Sequence, residues 1–289
     1  MRLFSTILAF FSIILVSFGQ SNLTRFTPSA LLGKGQFEIQ NFNNLYTQNS
    51  IRDASGSEFE LNQRQIFLNS AFMFTYGVST SSKFNIGLDF NLNRAAYFNS
   101  DDNPLGIFSN GAISSRTALG SIAARLKFAP IAALPRLAIQ SSISVPVAKN
   151  LETPRFVAHD RYNWWTQIFY DKSIGQHFQA FFELDLLYRF KRQEFQENFF
   201  RTPASVFLSY FPSSRVTFYT LFQHSPAFGK IVQGERTFRG QLRWFSQWGL
   251  GTKYQLTDKL GIELSYSTFF ASRNDGAGNT VNLGFRFIN

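Results

Sequence analysis

Apolar and polar residues alternate along most of this chain, and the period is two. In Thr280 to Asn289, Val281, Leu283, Phe285 and Phe287 alternate with Asn282, Gly284, Arg286 and Ile288. Such a period defines a β-strand with one apolar and one mostly polar face. His177 to Lys191 repeats it without a break: Phe178, Ala180, Phe182, Leu184, Leu186, Tyr188 and Phe190 lie opposite Gln179, Glu183, Asp185, Arg189 and Lys191. The same reading predicts strands over 35–47, 63–78, 83–97, 118–130, 136–147, 162–171, 203–211, 216–223, 238–254 and 260–270. Asn41 and Asn43 break the first of these and predict a bulge there. Both faces of 216–223 are apolar, so its orientation is open.

About twelve strands result, with ten or fourteen within the error of the count. The connections alternate in length. Residues 79–82, 131–135, 172–176, 212–215 and 257–259 are short links. Residues 48–62, 98–117, 148–161, 192–202 and 224–237 are long, and 271–279 is intermediate. Short turns on one side and longer loops on the other are the mark of a transmembrane β-barrel. The fold class expected is therefore all-β, a single antiparallel barrel with short periplasmic turns and longer extracellular loops. Its last strand should pair with 260–270 on one side and 35–47 on the other.

Composition agrees. The chain of 289 residues carries 36 Phe, and 17% of it is aromatic against 16% charged. A wall that meets lipid needs an apolar residue at every second position and favours aromatics at its two interfaces. Tyr162, Trp164, Tyr170, Tyr188, Trp244, Trp248 and Tyr254 all fall on the apolar face and form the expected aromatic girdle. Tyr162 and Tyr170 are eight residues apart, which at about 3.3 Å per residue and a tilt near 40° spans roughly 20 Å, close to the apolar band of such barrels. After residue 20 no run of about 18 apolar residues occurs, as a spanning helix would need.

Residues 1–19 read as a cleaved secretory signal: Arg2, an apolar run from Leu3 to Phe18, then Ser17-Phe18-Gly19 before Gln20. Residues 20–33 have no period and read as a periplasmic lead-in able to send a short segment into the lumen; residues 34–289 are the barrel. The location expected is the bacterial outer membrane. The absence of Cys removes disulfides, thiolate metal sites and a lipidated N-terminal Cys. The net charge of +10 comes from scattered residues, and an exported barrel meets no nucleic acid. The partners expected are outer-membrane lipid and lipopolysaccharide, the barrel-assembly machinery through the last strand, and a small-molecule solute.

Gly120-Ser121-Ile122-Ala123-Ala124-Arg125-Leu126-Lys127, then Pro135-Arg136-Leu137-Ala138-Ile139-Gln140 and Val145-Pro146, resemble two strands of the "meta-pathway of phenol degradation" family of outer-membrane proteins. Gly251-Thr252-Lys253-Tyr254 and Leu283-Gly284-Phe285-Arg286-Phe287 are similar to its closing strands. Where the family has Thr-Gly after the proline, this chain has Val147-Ala148. The resemblance implies a barrel that passes small, often apolar compounds. The Phe-rich, Asn-rich, Cys-free style also looks like outer-membrane proteins of the Bacteroidetes group.

Catalysis finds little support in the sequence. The three His are His159, His177 and His224. His224 and Ser225 are adjacent, and adjacent strand residues point to opposite faces, so they could not pair unless the strand ended there; Pro226 after them reads as the start of an outer loop. His159 falls in a loop and His177 in a turn, where both are expected to be solvated. No spacing suits a metal and no cofactor is expected. Asp275-Gly276-Ala277-Gly278 reads as a hairpin loop. The polar face carries Arg125, Lys127, Glu183, Asp185, Arg189, Lys191, Arg239, Arg243, Lys253, Glu263 and Arg286, joined by Glu38, Asp89 and Asp171, as candidate lumen-lining residues. They either pair across the lumen and fill it, or line a narrow path; Glu183 and Asp185 share a face with Arg189 and Lys191 and are placed to pair with them. Phe195, Phe199 and Phe200 sit among charges in the 192–202 loop and are expected to fold over or into the mouth as an apolar gate. The function expected is a narrow channel or transporter for small molecules, apolar ones included. A non-conducting structural or interaction barrel and a lipid-active enzyme are the competing readings.

Overall fold

The structure is a computed structural model that describes residues 28–289 apart from 82, 135, 195, 234 and 235. Among the described residues there are fourteen strands and no helix. They are β1 (Phe37–Arg52), β2 (Glu58–Gly77), β3 (Phe84–Asn99), β4 (Ser114–Phe128), β5 (Leu137–Pro146), β6 (Tyr162–Ile174), β7 (Phe178–Phe190), β8 (Phe199–Arg201), β9 (Ala204–Tyr210), β10 (Val216–Gln233), β11 (Arg236–Gln255), β12 (Leu260–Arg273), β13 (Asp275–Gly276) and β14 (Asn279–Ile288). All pair antiparallel in one sheet.

The sheet is closed. β14 pairs with β12 on one side and β1 on the other, as its two-faced pattern predicted. The circuit continues through β2 to β7, then β9, β10 and β11 back to β12. Twelve staves result, because β8 and β9 together make one. β9 runs between Phe178–Leu184 of β7 and the start of β10, whereas β8 continues the same column opposite Leu187–Arg189. Closure removes the free edges that an open sheet would expose.

Side chains follow the pleat. Ile39, Phe72, Phe74, Ile86, Leu88, Ile143, Trp164, Leu184, Leu208, Phe218, Leu250, Tyr266 and Phe285 are all exposed, and all lie on the outward face. A water-soluble domain rarely leaves so continuous an apolar surface open. The girdle residues share it: Tyr162, Trp164, Tyr170, Trp248 and Tyr254 are exposed there, Tyr188 packs on Phe190 with ring centres 4.6 Å apart, and Trp244 lies against His224.

Three outer connections are shorter than the pattern predicted. β1 reaches Arg52 and β2 begins at Glu58, so most of 48–62 is strand. Residues 224–233 extend β10, and β11 starts at Arg236. β12 reaches Arg273, and Asp275–Gly276 adds β13 beside β1. These extensions lack the apolar row, because the pattern is imposed by lipid and stops where lipid stops. Pro226 does not end β10 either. It lies opposite Thr202–Pro203, where the neighbouring stave is broken between β8 and β9, so its missing N–H removes no ladder bond; its carbonyl still accepts from the Thr202 amide at 3.0 Å.

Asn41 and Asn43 do not form a bulge. β1 stays in register past both, and the first shift falls between Gln48 and Ser50. Asn43 is tied along the pleat instead: its Nδ2 donates to Asn41 Oδ1 at 2.7 Å, and its Oδ1 accepts from Ser70 Oγ at 2.6 Å.

Candidate functional site

The inner wall carries the chemistry. Arg125 on β4 ion-pairs with Asp89 on β3 at 3.0 Å, and Arg286 on β14 with Glu38 on β1 at 2.8 Å. Lys253 on β11 pairs with Glu263 on β12 at 3.4 Å. Each pair joins neighbouring staves, so the side chains lie along the wall and do not cross the lumen. Glycines make room for this. Arg125 passes over Gly87 of β3, where a Cβ would meet its guanidinium at 3.0 Å, and donates to Thr75 Oγ1 on β2 at 2.8 Å. Tyr219 of β10 lies across Gly251 of β11 and donates to Glu263 at 2.5 Å. Its hydroxyl explains why an apparently apolar inner face on 216–223 is compatible with a polar lumen.

From Arg125 the contacts run on around the wall. Arg125 Nη1 donates to Gln140 Oε1 at 3.1 Å, Gln140 Nε2 to Gln167 Oε1 at 2.7 Å, and Gln167 Nε2 to Glu183 Oε1 at 2.7 Å. Asp185, buried, stands next to Glu183 on the same face of β7. Their expected pairing with Arg189 and Lys191 is replaced: Arg189 turns to a loop histidine, and Lys191 falls beyond the end of β7, exposed at the rim. Arg239 also leaves the lumen wall. Ala227 stands opposite Arg243 but Phe228 opposite Gln241, so an extra residue at Leu242 reverses the alternation and puts Arg239 opposite Lys230 on the outer hairpin.

Two segments enter the barrel. From the periplasmic end, residues 28–33 fold up beside β3 and β4. Lys127 Nζ donates to the carbonyls of Pro28 and, at 2.6 Å, Ala30. Asn85 accepts from the Leu32 amide at 2.9 Å and donates to its carbonyl at 3.0 Å. Leu31 packs on Ala138, Phe169 and Phe181. Gly77 permits the approach, since a Cβ there would lie 2.0 Å from the Gly33 carbonyl oxygen. The luminal segment anticipated within 20–33 is thus present in its described part; residues 1–27, with the signal reading, lie outside the described residues.

From the outer end, loop 147–161 folds inward on Leu151 and Val157, both buried. Tyr97 donates to the Phe156 carbonyl at 2.8 Å, and Phe156 meets Phe67 edge-on. His159 is held in place and only partly solvated, its side chain 32% exposed: its Nδ1 lies 3.2 Å from Glu152 Oε1 and its Nε2 accepts from Arg189 Nη1 at 2.6 Å. Loss of water around the ring, then the Arg189 charge, lower its pKa to about 3. Burial alone would raise Glu152, but hydrogen bonds from His159 and Arg161 outweigh it and bring the carboxyl to about 2. Between this loop and β1–β3 lies a cavity of about 240 Å³ lined by Asn44, Asn69, Asn93, Phe67, Phe156 and His159.

The expected mouth gate is differently built. Phe195 lies outside the described residues. Phe199 and Phe200 belong to β8, in the wall. Phe200 faces outward between Tyr188 and Phe228. Phe199 faces inward, 7% exposed, with the guanidinium carbons of Arg243, Arg189 and Arg201 at 4.8, 5.6 and 5.8 Å from its ring centre. Arg161, Arg201 and His159 were not among the sequence candidates, because they fell in stretches read as loops; the repeat of inward positions through Phe199 and Arg201 was the available signal.

On the outer wall, His224 Nδ1 lies 2.9 Å from Ser246 Oγ, and the His ring packs on Trp244. Ser225 points inward, as adjacency required, and accepts from Arg201. Among the described residues no carboxylate or amide side chain is hydrogen-bonded to His224 to orient it, as a catalytic triad would need. His177 caps a turn against the Phe211 carbonyl.

A closed twelve-stranded barrel with an apolar outside and a polar, partly filled inside defines the class of outer-membrane-type β-barrels. Among solved structures, the COG4313 outer membrane channel from Pseudomonas putida F1 is similar over 91% of this chain and 98% of its own, with a TM-score of 0.68 at 11% identity. The beta domain of the Bordetella autotransporter BrkA follows, covering 87% of this chain and 98% of its own, with a TM-score of 0.50 at 10% identity. At such identities the likeness is one of fold. No protein-family model matches the sequence, and no curated protein does.

Proposed function

We propose that the protein is a bacterial outer-membrane channel for the passive passage of small solutes. The observation that carries this reading is the arrangement of the inner wall. Three of its ion pairs, Arg125–Asp89, Lys253–Glu263 and Arg286–Glu38, join neighbouring staves along the wall, with Arg125 lying over Gly87, so these charges are satisfied without spanning the lumen. At the outer end Arg201–Asp275 does reach between staves that do not adjoin. The fold shared with a solved outer-membrane channel supports the reading, as does the resemblance to the phenol-degradation family, whose barrels are regarded as passing small, often apolar compounds. The segment 28–33 and the loop 147–161 narrow the two ends and restrict passage to small molecules. A secretory signal over residues 1–19 agrees with this location, and lipid, lipopolysaccharide and the assembly machinery are the partners it implies.

The test is direct. Purified protein in planar bilayers should give discrete conductance steps, and liposomes containing it should swell in a small neutral sugar. A barrel that folds but gives neither overturns the channel and leaves a structural barrel in its place.

A further inference from the structure

Building on the channel reading, we propose that the outer end of the lumen holds a binding site for small organic oxyanions, carboxylates above all, formed by Arg161, Arg189, Arg201 and Arg243 around Phe199. Arg189, Arg201 and Arg243 surround one ring, and Arg161 stands close enough to act on Arg189 and Arg243 electrostatically. Two carboxylates answer them. Glu152 holds Arg161 at 3.0 Å and Asp275 holds Arg201 at 2.7 Å. Arg189 spends one nitrogen on His159, a neutral ring that returns no charge. Arg243 has the face of Phe199 and no hydrogen bond or ion pair among the described residues. Four positive charges thus face two carboxylates, which reach Arg189 and Arg243 only at a distance. The Nε atoms of Arg189 and Arg201 are buried without a partner.

Like charges gathered in a confined space repel, and buried donors without acceptors are costly. An oxyanion removes both penalties at once. The guanidinium fork matches a carboxylate in two parallel hydrogen bonds, a geometry chloride cannot use. Holding the inner loop in place accounts for Arg161, which donates to the Glu197 carbonyl as well as to Glu152, and for Arg189. It does not account for Arg243, which binds neither loop. The cavity of about 240 Å³ meets the cluster at His159, and its Phe67 and Phe156 rings offer an apolar surface to the body of an acid whose head reaches the arginines.

The experiment uses the full-length mature protein in planar bilayers, with benzoate and inorganic phosphate as probes. In a tenfold KCl gradient the reversal potential should show preference for chloride over potassium. Benzoate added on the outer side should block the chloride current. Arg243→Gln should reduce the anion preference severalfold and weaken benzoate block at least threefold, and Arg243→Lys should fall between, keeping the charge without the fork. Wild-type protein that passes neutral sugar but shows neither anion preference nor benzoate block would overturn the site and leave the channel standing. Block by phosphate with none by benzoate would overturn the preference for carboxylates. If neither ions nor sugar pass, the channel reading itself falls. The block on wild-type protein stands as a test even where a variant does not assemble.

Discussion

Removing Arg286 should open the seam of the barrel, and the cost can be worked from its surroundings. Arg286 on β14 and Glu38 on β1 meet at 2.8 Å across the join between the last and first strands, with side chains 16% and 8% exposed. Arg286→Met leaves the Glu38 carboxylate in a mostly dry wall. Losing one partner of a buried pair costs about 3–5 kcal/mol. The lower figure applies, because the Arg125 guanidinium, with Lys127, also acts on Glu38 and remains. About 3 kcal/mol is roughly a 150-fold change in the folding equilibrium. Replacing both, Glu38→Gln with Arg286→Met, removes the stranded charge and should recover most of that loss. Urea titration of the protein in phospholipid vesicles, followed by tryptophan fluorescence, reads the midpoint for each variant. Equal midpoints for Arg286→Met and the double variant would refute the reasoning, since the penalty would then come from packing and not from an unpaired carboxylate.

The docking of the inner loop should weaken in acid. Glu152 is held below its ordinary range and contributes stability present above pH 4.5 and lost as pH falls toward about 2. His159 is held at about 3, so the released loop binds a proton the docked loop refuses; docking is undisturbed above pH 6.5 and loses up to about 1.4 kcal/mol per unit below it. Conductance recorded between pH 7.5 and 4 should rise on the acid side, and a flat profile would show that the loop does not limit flow. Gly77→Ala places a Cβ 2.0 Å from the Gly33 carbonyl and should dislodge the luminal segment, seen as faster proteolysis near Lys34 and larger conductance with the barrel intact. Truncation of Phe285 to Asn289 removes the periplasmic end of the β14 pairing with both β1 and β12, with the Arg286–Glu38 pair, and should abolish assembly; a heat-modifiable, protease-resistant truncated barrel would contradict the closure described.

The staves were readable because lipid imposes a strict apolar row, and His177–Lys191 and Thr280–Asn289 show it almost unbroken. The outer extensions were not, because His224, Pro226 and Lys230 stand where the apolar row of β10 would have continued. The bulge at Leu242 moved Arg239 off the lumen face, and one inserted residue leaves no mark in a pattern whose period is two. The inward loop was signalled only by Leu151, Phe156 and Val157, three apolar residues in a stretch otherwise fit for solvent. The arginine cluster was half visible: Arg189 and Arg243 stood in the inward row, while Arg161 and Arg201 came from stretches assigned to loops and met the others only through closure of the barrel.

The belt of side chains from Thr75 through Arg125, Gln140 and Gln167 to Glu183 runs around the wall from β2 to β7. Mechanically it is a hoop over half the circumference, tying those staves at one level in addition to their backbone ladders. The opposite arc is tied too, from Ser205 on β9 through Gln223 and Gln247 to Ser267 on β12. At the break between β8 and β9 the Thr202 amide still donates to the Pro226 carbonyl, and the Asp185 amide to the Pro203 carbonyl. The wall is therefore laced by two nets, backbone ladders and side-chain ties, and the one stave with a broken ladder is the one that carries Phe199 among its arginines.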